Sequence, residues 1–304
     1  MERIKVGVVG VGHLGSIHAR LYKEIPSCSL AAICDINQQQ LEQASRTLDV
    51  PGYREHRQLL GKVDAVSIAS PTADHYALTR DFLKSGVHVL VEKPFTTTVH
   101  EANALIKLAR KHRCLLTVGH VERFNSAFRA THKIIRRPRF IECHRLSPFP
   151  NRSLDVGVVL DIMIHDIDII LGLVASPIRK IESIGVSVLT PFEDIANTRI
   201  TFADGCVANL TASRVSDEPL RKIRIFQKDT YISLDYKEAS AFVYRKANGR
   251  VSREELPIEK EQPLRKELEF FLECIQHHHT PLITGEIARD ALKVALKVRD
   301  QICL

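Results

Sequence analysis

The segment VGVVGVGHLGSIHA, close to the start of the 304-residue chain, constrains the fold more than any other stretch. Val6, Val8 and Val9 read as a strand that runs into Gly10-x-Gly12-x-x-Gly15, and a helix follows from about Leu14. Strand, glycine turn and helix in this order are what a dinucleotide-binding βα unit requires. Gly10 permits the tight turn, Gly12 lets the backbone approach a pyrophosphate, and Gly15 lets the helix pack closely on the strand. His13 and Leu14 begin the helix, whose unpaired N–H groups face the anion. Twenty residues beyond Gly15, Asp35 closes the second strand in AAICDIN. A carboxylate there suits the adenosine ribose hydroxyls and repels a 2′-phosphate, and Ile36 beside it is not the arginine that NADP would want. NAD is therefore the expected cofactor. The structural alternative is a plain glycine turn with Asp35 capping the helix at 37.

From residue 3 to about 120, Val/Ile/Ala-rich runs at 3–9, 29–34, 63–69, 87–92 and 115–119 alternate with helical stretches at 14–24, 37–48, 73–85 and 99–112. This is the text of βαβ units, so an α/β fold with a doubly wound parallel sheet of Rossmann type is expected over residues 1–121. Beyond residue 122 the texture changes. A helix, FNSAFRATHKII, leads to strand-like residues 139–146, helical period returns over 160–173, and 178–258 reads as strand after strand. Turn signals at Asp204-Gly205 and Asn248-Gly249 separate these runs. An α+β second domain with an open, mostly antiparallel sheet is expected over 122–284. Helices at about 263–278 and 285–302 close the chain, and the segment 285–304 is expected to pack back on the first domain.

Ligands of open α/β sheets bind beyond the carboxyl ends of the strands. Ser70, Pro71 and Thr72 end the strand at 63–69, with His75 just inside the next helix, and are expected on the nicotinamide side of the cofactor. In VLVEKPFTT, Glu92, Lys93 and Pro94 end the following strand. Proline ends ladder pairing and restricts the residue before it, so Lys93 is held in place, where an ammonium can stabilise a substrate oxygen as its proton leaves. His120 and Arg123, past the strand at 115–119, are candidates for cofactor or substrate contact, or are structural. In VVLDIMIHDIDII, Asp161 and His165 stand i, i+4 on one helix face, with Asp168 three residues on. His165 exchanges a proton near neutral pH, and Asp161 orients its ring. A satisfied core His-Asp pair is the alternative.

Composition narrows the function classes. The formal net charge of +7 is mild and spread along the chain, which favours small anions over nucleic acid. The basic stretch KIIRRPR at 133–139 is too short and isolated for a nucleic-acid face. No apolar run reaches the eighteen or so residues of a membrane span, and no signal peptide is evident. Seven cysteines without a CxxC pair read as reduced thiols, so a cytoplasmic location is expected. The His277-His278-His279 run reads as a helix end rather than a metal site, and no metal is expected.

The glycine motif, the EKP of residues 92–94 and the later DxxxHDxD occur in an order and at separations that resemble the Gfo/Idh/MocA family of NAD(P)-dependent sugar and inositol oxidoreductases, over essentially the whole chain. The resemblance implies Lys93, Asp161 and His165 as the catalytic set, with His165 as general base. It also implies a second-domain sheet used for homodimer or homotetramer contacts, and a peptide before Pro94 that is often cis. RFNSAF at 123–128 and LDIMIHDIDI look most like the subgroup that oxidises nucleotide sugars, notably UDP-N-acetylglucosamine at its 3-position. Met163 stands where many members have glycine, a change expected to alter the substrate pocket. For a nucleotide sugar, Arg145 or Arg152 is a candidate for the diphosphate, or faces solvent. An NADH-dependent reductase of a cyclic ketone or imine and a non-catalytic NAD sensor are the rival readings; the intact Lys93, Asp161 and His165 argue against the sensor.

Overall fold

A computed structural model describes residues 3–149, 156–247 and 249–302. Arg152, Asn248 and Cys303, used in the sequence reading, lie outside them. The chain divides into two compact units, Met1–His120 with Leu264–Arg289 and Val121–Pro263 with Asp290–Leu304.

The first unit is built on a six-stranded sheet in the order β3-β2-β1-β4-β5-β6, every pairing parallel. Its strands are β1 (Ile4–Val9), β2 (Cys28–Cys34), β3 (Gly52–Tyr53), β4 (Ala65–Ile68), β5 (His88–Glu92) and β6 (Leu116–Gly119). β4 and β6 are buried along their whole length, and so is β5 beyond His88, which is why they read as largely apolar runs, broken by Ser67, Glu92 and Thr117, rather than as alternations. Successive strands step outward one way through β2 and β3 and the other way through β4 to β6, so the winding reverses between β1 and β4. A ligand crevice belongs at that reversal. The helices are α1 (His13–Glu24), α2 (Gln38–Leu48), α3 (Thr72–Lys84) and α4 (Val99–His112). α2 starts on Asn37, whose side chain accepts the Gln40 N–H, and α4 starts on a Thr98/Glu101 capping box. α7 (Pro263–His277) adds Leu268, Phe271 and Leu272 to the core around Val6, Val8 and Tyr22.

The second unit carries α5 (Ser126–His132), α6 (Ile164–Leu173) and an eight-stranded sheet in the order β14-β13-β12-β11-β7-β10-β9-β8. Its strands run from β7 (Pro138–Leu146) and β8 (Ile178–Val186) through β9 (Ile195–Phe202), β10 (Val207–Ser213) and β11 (Leu220–Gln227) to β12 (Thr230–Asp235), β13 (Ser240–Ala247) and β14 (Arg250–Glu255). All neighbours are antiparallel except β7 and β10. One sheet face packs on α6 residues such as Ile167 and Ile170, and on Ala291, Val294, Ala295 and Val298 of α8 (Gly285–Gln301).

Two boundaries differ from the sequence expectation. α7 joins the first unit rather than the second, because its apolar face completes the core beneath β1. The division then falls inside α8, between Arg289 and Asp290, so the closing segment 285–304 does not belong as a whole to the dinucleotide-binding unit.

Candidate functional site

In the first unit the three motif glycines do three separate jobs. Gly10 has φ +84°, a conformation that a side chain resists, and a Cβ there would stand 2.7 Å from the Ala69 carbonyl oxygen. A Cβ on Gly15 would come within 1.7 Å of the Gly10 carbonyl oxygen, so only glycine lets α1 close on the turn. Gly12 meets nothing within 4 Å. Its Cα is bare against open space, which is what a pyrophosphate lying over the loop needs. Gly12 is also the N-cap of α1, and no side chain caps the helix, so its first N–H groups await an acceptor.

Asp35 follows β2. Its Oδ2 accepts the Val11 N–H at 2.7 Å and its Oδ1 the Asn37 N–H at 2.8 Å. A carboxylate has about four acceptor positions, so two remain for ribose hydroxyls. The capping of α2 falls to Asn37, not Asp35. Ile36 is 80% exposed beside it, an apolar surface for a stacked base. His13 is exposed and Leu14 half-buried at the mouth of the loop. Ser70 is half-buried, and its buried Oγ finds no hydrogen-bond partner among the described residues. Pro71 caps α3 without a side-chain bond, and Thr72 begins it. An orphaned hydroxyl, two uncapped helix starts and a carboxylate with spare lone pairs fit a bound dinucleotide.

Three residues expected at the cofactor, Glu92, His75 and Arg123, make hydrogen bonds or ion pairs within the protein. Glu92 is buried, with Oε1 3.2 Å from His18 Nε2 and Oε2 accepting the Lys93 N–H at 3.2 Å. Burial disfavours its charge, but the His18 and Lys93 contacts outweigh burial and hold its pKa below the usual carboxylate range. His75 is buried between two loops, its Nδ1 2.9 Å from the Pro94 carbonyl and its Nε2 2.9 Å from the Ser70 carbonyl. Burial pushes its pKa down despite both carbonyls, so the neutral ring donates to one of them and ties the end of β4 to the Lys93-Pro94 peptide. That peptide is cis. Lys93 itself is half-buried, and His120 is 1% exposed just past β6. Arg123, in the second unit, closes a bidentate fork on Asp168, with Nε 2.6 Å from Oδ2 and Nη2 2.9 Å from Oδ1. Its guanidinium is spent on structure.

The acidic stripe of the second unit also sorts itself. Asp166 and Asp168 are buried, and Asp161 and His165 are half-buried. Asp166 accepts from Arg145 Nη2 at 2.8 Å, and Arg145 Nη1 reaches Glu122 at 2.6 Å. Arg145 is only 5% exposed, so it is an internal ion-pair centre and not a diphosphate ligand. Met163 is fully buried in the core of this unit, so its side chain fills packing space instead of a pocket. The residues before α6 form a π turn, Val159–Met163, in which the Ile164 N–H reaches back five residues to the Val159 carbonyl. A plain α-helix was expected there. The wider turn offsets Asp161 from the simple i, i+4 stripe, and such insertions recur at functional sites.

Residues 4–120 match the family model described as oxidoreductase family, NAD-binding Rossmann fold, and residues 117–232 match the GFO/IDH/MocA C-terminal domain. The chain is 37% identical to UDP-N-acetylglucosamine 3-dehydrogenase of Acidithiobacillus ferrooxidans over 98% of its own length and 97% of that protein. A solved structure of that dehydrogenase superposes with a TM-score of 0.94, covering 99% of this chain and 98% of that one. A scyllo-inositol 2-dehydrogenase (NAD(+)) of Bacillus subtilis is 25% identical over 97% of this chain and 93% of its own.

Proposed function

The chain belongs to the GFO/IDH/MocA oxidoreductases and is an NAD-dependent dehydrogenase of CH–OH groups, and from that premise we propose that it oxidises a nucleotide sugar, UDP-N-acetylglucosamine, to the 3-keto form. The observation that carries the substrate is the 37% identity over 98% of the chain, with a TM-score of 0.94 for the fold, to a dehydrogenase of that sugar.

Lys93, Asp161 and His165 are proposed as the catalytic set. His165 takes the proton of the substrate hydroxyl as general base, and Asp161 orients the imidazole and steadies the imidazolium that results. Lys93 donates to the substrate oxygen as negative charge develops on it. NAD, when bound, supplies the hydride acceptor. The loop Gly10–Gly15 and Asp35 are the proposed seats of the pyrophosphate and the ribose, supported by the bare Gly12 and the two spare acceptor positions of Asp35.

The protein is proposed to act as a homodimer or homotetramer through the second-unit sheet. On adjacent strands Phe140, Phe226, Tyr231 and Tyr244 form a row of half-buried to exposed rings, with centroids 4.7 to 5.7 Å apart, and this row supports the reading. No described helix is long and apolar enough to cross a membrane, and the six described cysteines are free thiols, which supports a cytoplasmic setting.

The test is NADH formation by the purified protein with NAD and either UDP-N-acetylglucosamine, UDP-glucose, free N-acetylglucosamine or scyllo-inositol. Turnover confined to the first supports the proposal. Turnover confined to the unconjugated polyols removes the nucleotide from it.

A further inference from the structure

Behind Lys93 lies a chain of buried polar groups that the proposed chemistry does not use. Glu92 presents Oε2 to the Lys93 N–H and Oε1 to His18. His18 is fully buried, and its Nε2 stands 3.2 Å from Glu92 Oε1. Its Nδ1 is 3.3 Å from Ser67 Oγ, which in turn stands 2.8 Å from the Tyr22 hydroxyl. His18 and Tyr22 are one turn apart on α1, the helix that begins at the glycine loop. Ser67 lies on β4, and Glu92 is the last residue of β5. On the far side Gly119 of β6 closes the compartment, since a Cβ there would stand 2.7 Å from Glu92 Oε1. The carboxylate is thus walled in, with its two oxygens directed to an α1 side chain and to the peptide of the residue that follows it.

We propose that His18 is a positioning residue for Lys93. It anchors Glu92 from within α1, and Glu92 fixes the Lys93 backbone, so the ammonium stands at a set place relative to the loop from which α1 springs. This inference rests on the reading of Lys93 as catalytic. A misplacement of about 1 Å at a reacting group costs about 10²-fold in rate, so loss of the anchor is felt in turnover without any contact to substrate.

The experiment is a cycle of His18→Leu, His18→Gln, Lys93→Met and the double variant His18→Leu/Lys93→Met, assayed with NAD and the sugar nucleotide. Three readouts accompany it: kcat, NAD affinity by calorimetry, and amide hydrogen exchange of the NAD-bound protein. In His18→Leu, kcat is expected to fall about 10- to 100-fold with NAD affinity within about twofold. Exchange is expected to rise in the peptide spanning 92–95 and not in β1 or β4. Gln keeps a donor near the place of Nε2 and is expected to restore most of the rate, while in the Lys93→Met background His18→Leu costs nothing further. An equal loss of kcat in both backgrounds, or exchange that rises throughout the sheet, would make His18 a core residue only and overturn the proposal. Full turnover of Lys93→Met alone would remove the reading of Lys93, and exchange at 92–95 would still decide whether His18 holds Glu92. Should His18→Leu fail to fold, Glu92→Gln carries the test, because it keeps the shape and removes the charge. An unaltered kcat in that variant sinks the inference.

Discussion

Asp35 Oδ2 accepts the Val11 N–H at 2.7 Å, which makes the proposed ribose ligand a strut of the glycine loop as well. Hydrogen bonds to a charged group contribute about 1.5–3 kcal/mol each, so Asp35→Ser is expected to weaken NAD binding by about tenfold or more. Removing the carboxylate also removes its repulsion of a 2′-phosphate, so the preference for NAD over NADP should narrow. The ratio of kcat/KM for the two cofactors checks this. An unchanged ratio would leave Asp35 as a strut alone.

Gly12 and Gly15 separate folding from binding within four residues. Gly15→Ala forces a Cβ onto the Gly10 carbonyl at 1.7 Å, so α1 must shift, and a loss of several degrees in Tm is expected. Gly12→Ala meets no protein atom within 4 Å, so its Tm should stay near that of the parent while NAD affinity falls. Thermal melts and NAD titrations of the two variants, side by side, test the proposed pyrophosphate seat. A Gly12→Ala protein that binds NAD normally would vacate it.

Much of this was legible in the sequence because it is local. The glycine turn announces itself through conformations only glycine takes, and the buried strands through apolar runs. β3 was missed: two residues after Pro51 show no periodicity. The π turn at Val159–Met163 was missed because one extra residue per turn leaves no mark in a uniformly apolar run. The fate of the charged side chains was hidden for another reason. Arg123 meets Asp168 across 45 residues and Arg145 meets Asp166 across 21, and no spacing rule reports such pairings. Sequence could therefore list the three aspartates of DIMIHDIDI but not tell the two that pair with arginines, Asp166 and Asp168, from Asp161, which is left half-buried.

Arg145 offers a clear separation of roles. Its guanidinium joins Asp166 and Glu122 in the interior, 5.2 Å from the ring centre of Tyr236. Removing one member of a buried ion-pair group costs about 3–5 kcal/mol, since the partners' charges are left unmet. Arg145→Ala is expected to lower the urea midpoint accordingly. A variant of parental stability with a raised KM for the sugar nucleotide would return Arg145 to the diphosphate.

A second buried pair ties stability to pH. Asp194 is fully buried and accepts the N–H groups of Val188, Leu189 and Thr190 through Oδ2, and Thr190 Oγ1 and Arg214 Nε through Oδ1. Burial raises its pKa, but these donors outweigh burial and hold it well below the usual carboxylate range. A depressed folded pKa contributes stability that is present above the unfolded value and is lost as pH falls toward the folded one. Asp194→Asn is therefore expected to cost about 3–5 kcal/mol at neutral pH and less at about pH 3, where the unfolded parent binds a proton. Urea unfolding at both pH values checks the sign; a gap that widens in acid contradicts it.

His165 stands in the first turn of α6, immediately after the π turn that carries Asp161, and both side chains are half-buried where Asp166 and Asp168 are not. A general base contributes about 10²- to 10⁴-fold to rate, so His165→Ala should lower kcat by that order while NAD affinity, which rests on the first unit, stays near parental. Asp161→Asn keeps the shape and removes the charge proposed to steady the imidazolium, so its loss should be smaller and of the same kind, in kcat rather than in NAD binding. Pre-steady-state NADH formation with saturating sugar nucleotide measures both without interference from product release. If His165→Ala formed NADH at the parental rate, the proton would have another acceptor and the catalytic set would have to be sought elsewhere on the chain.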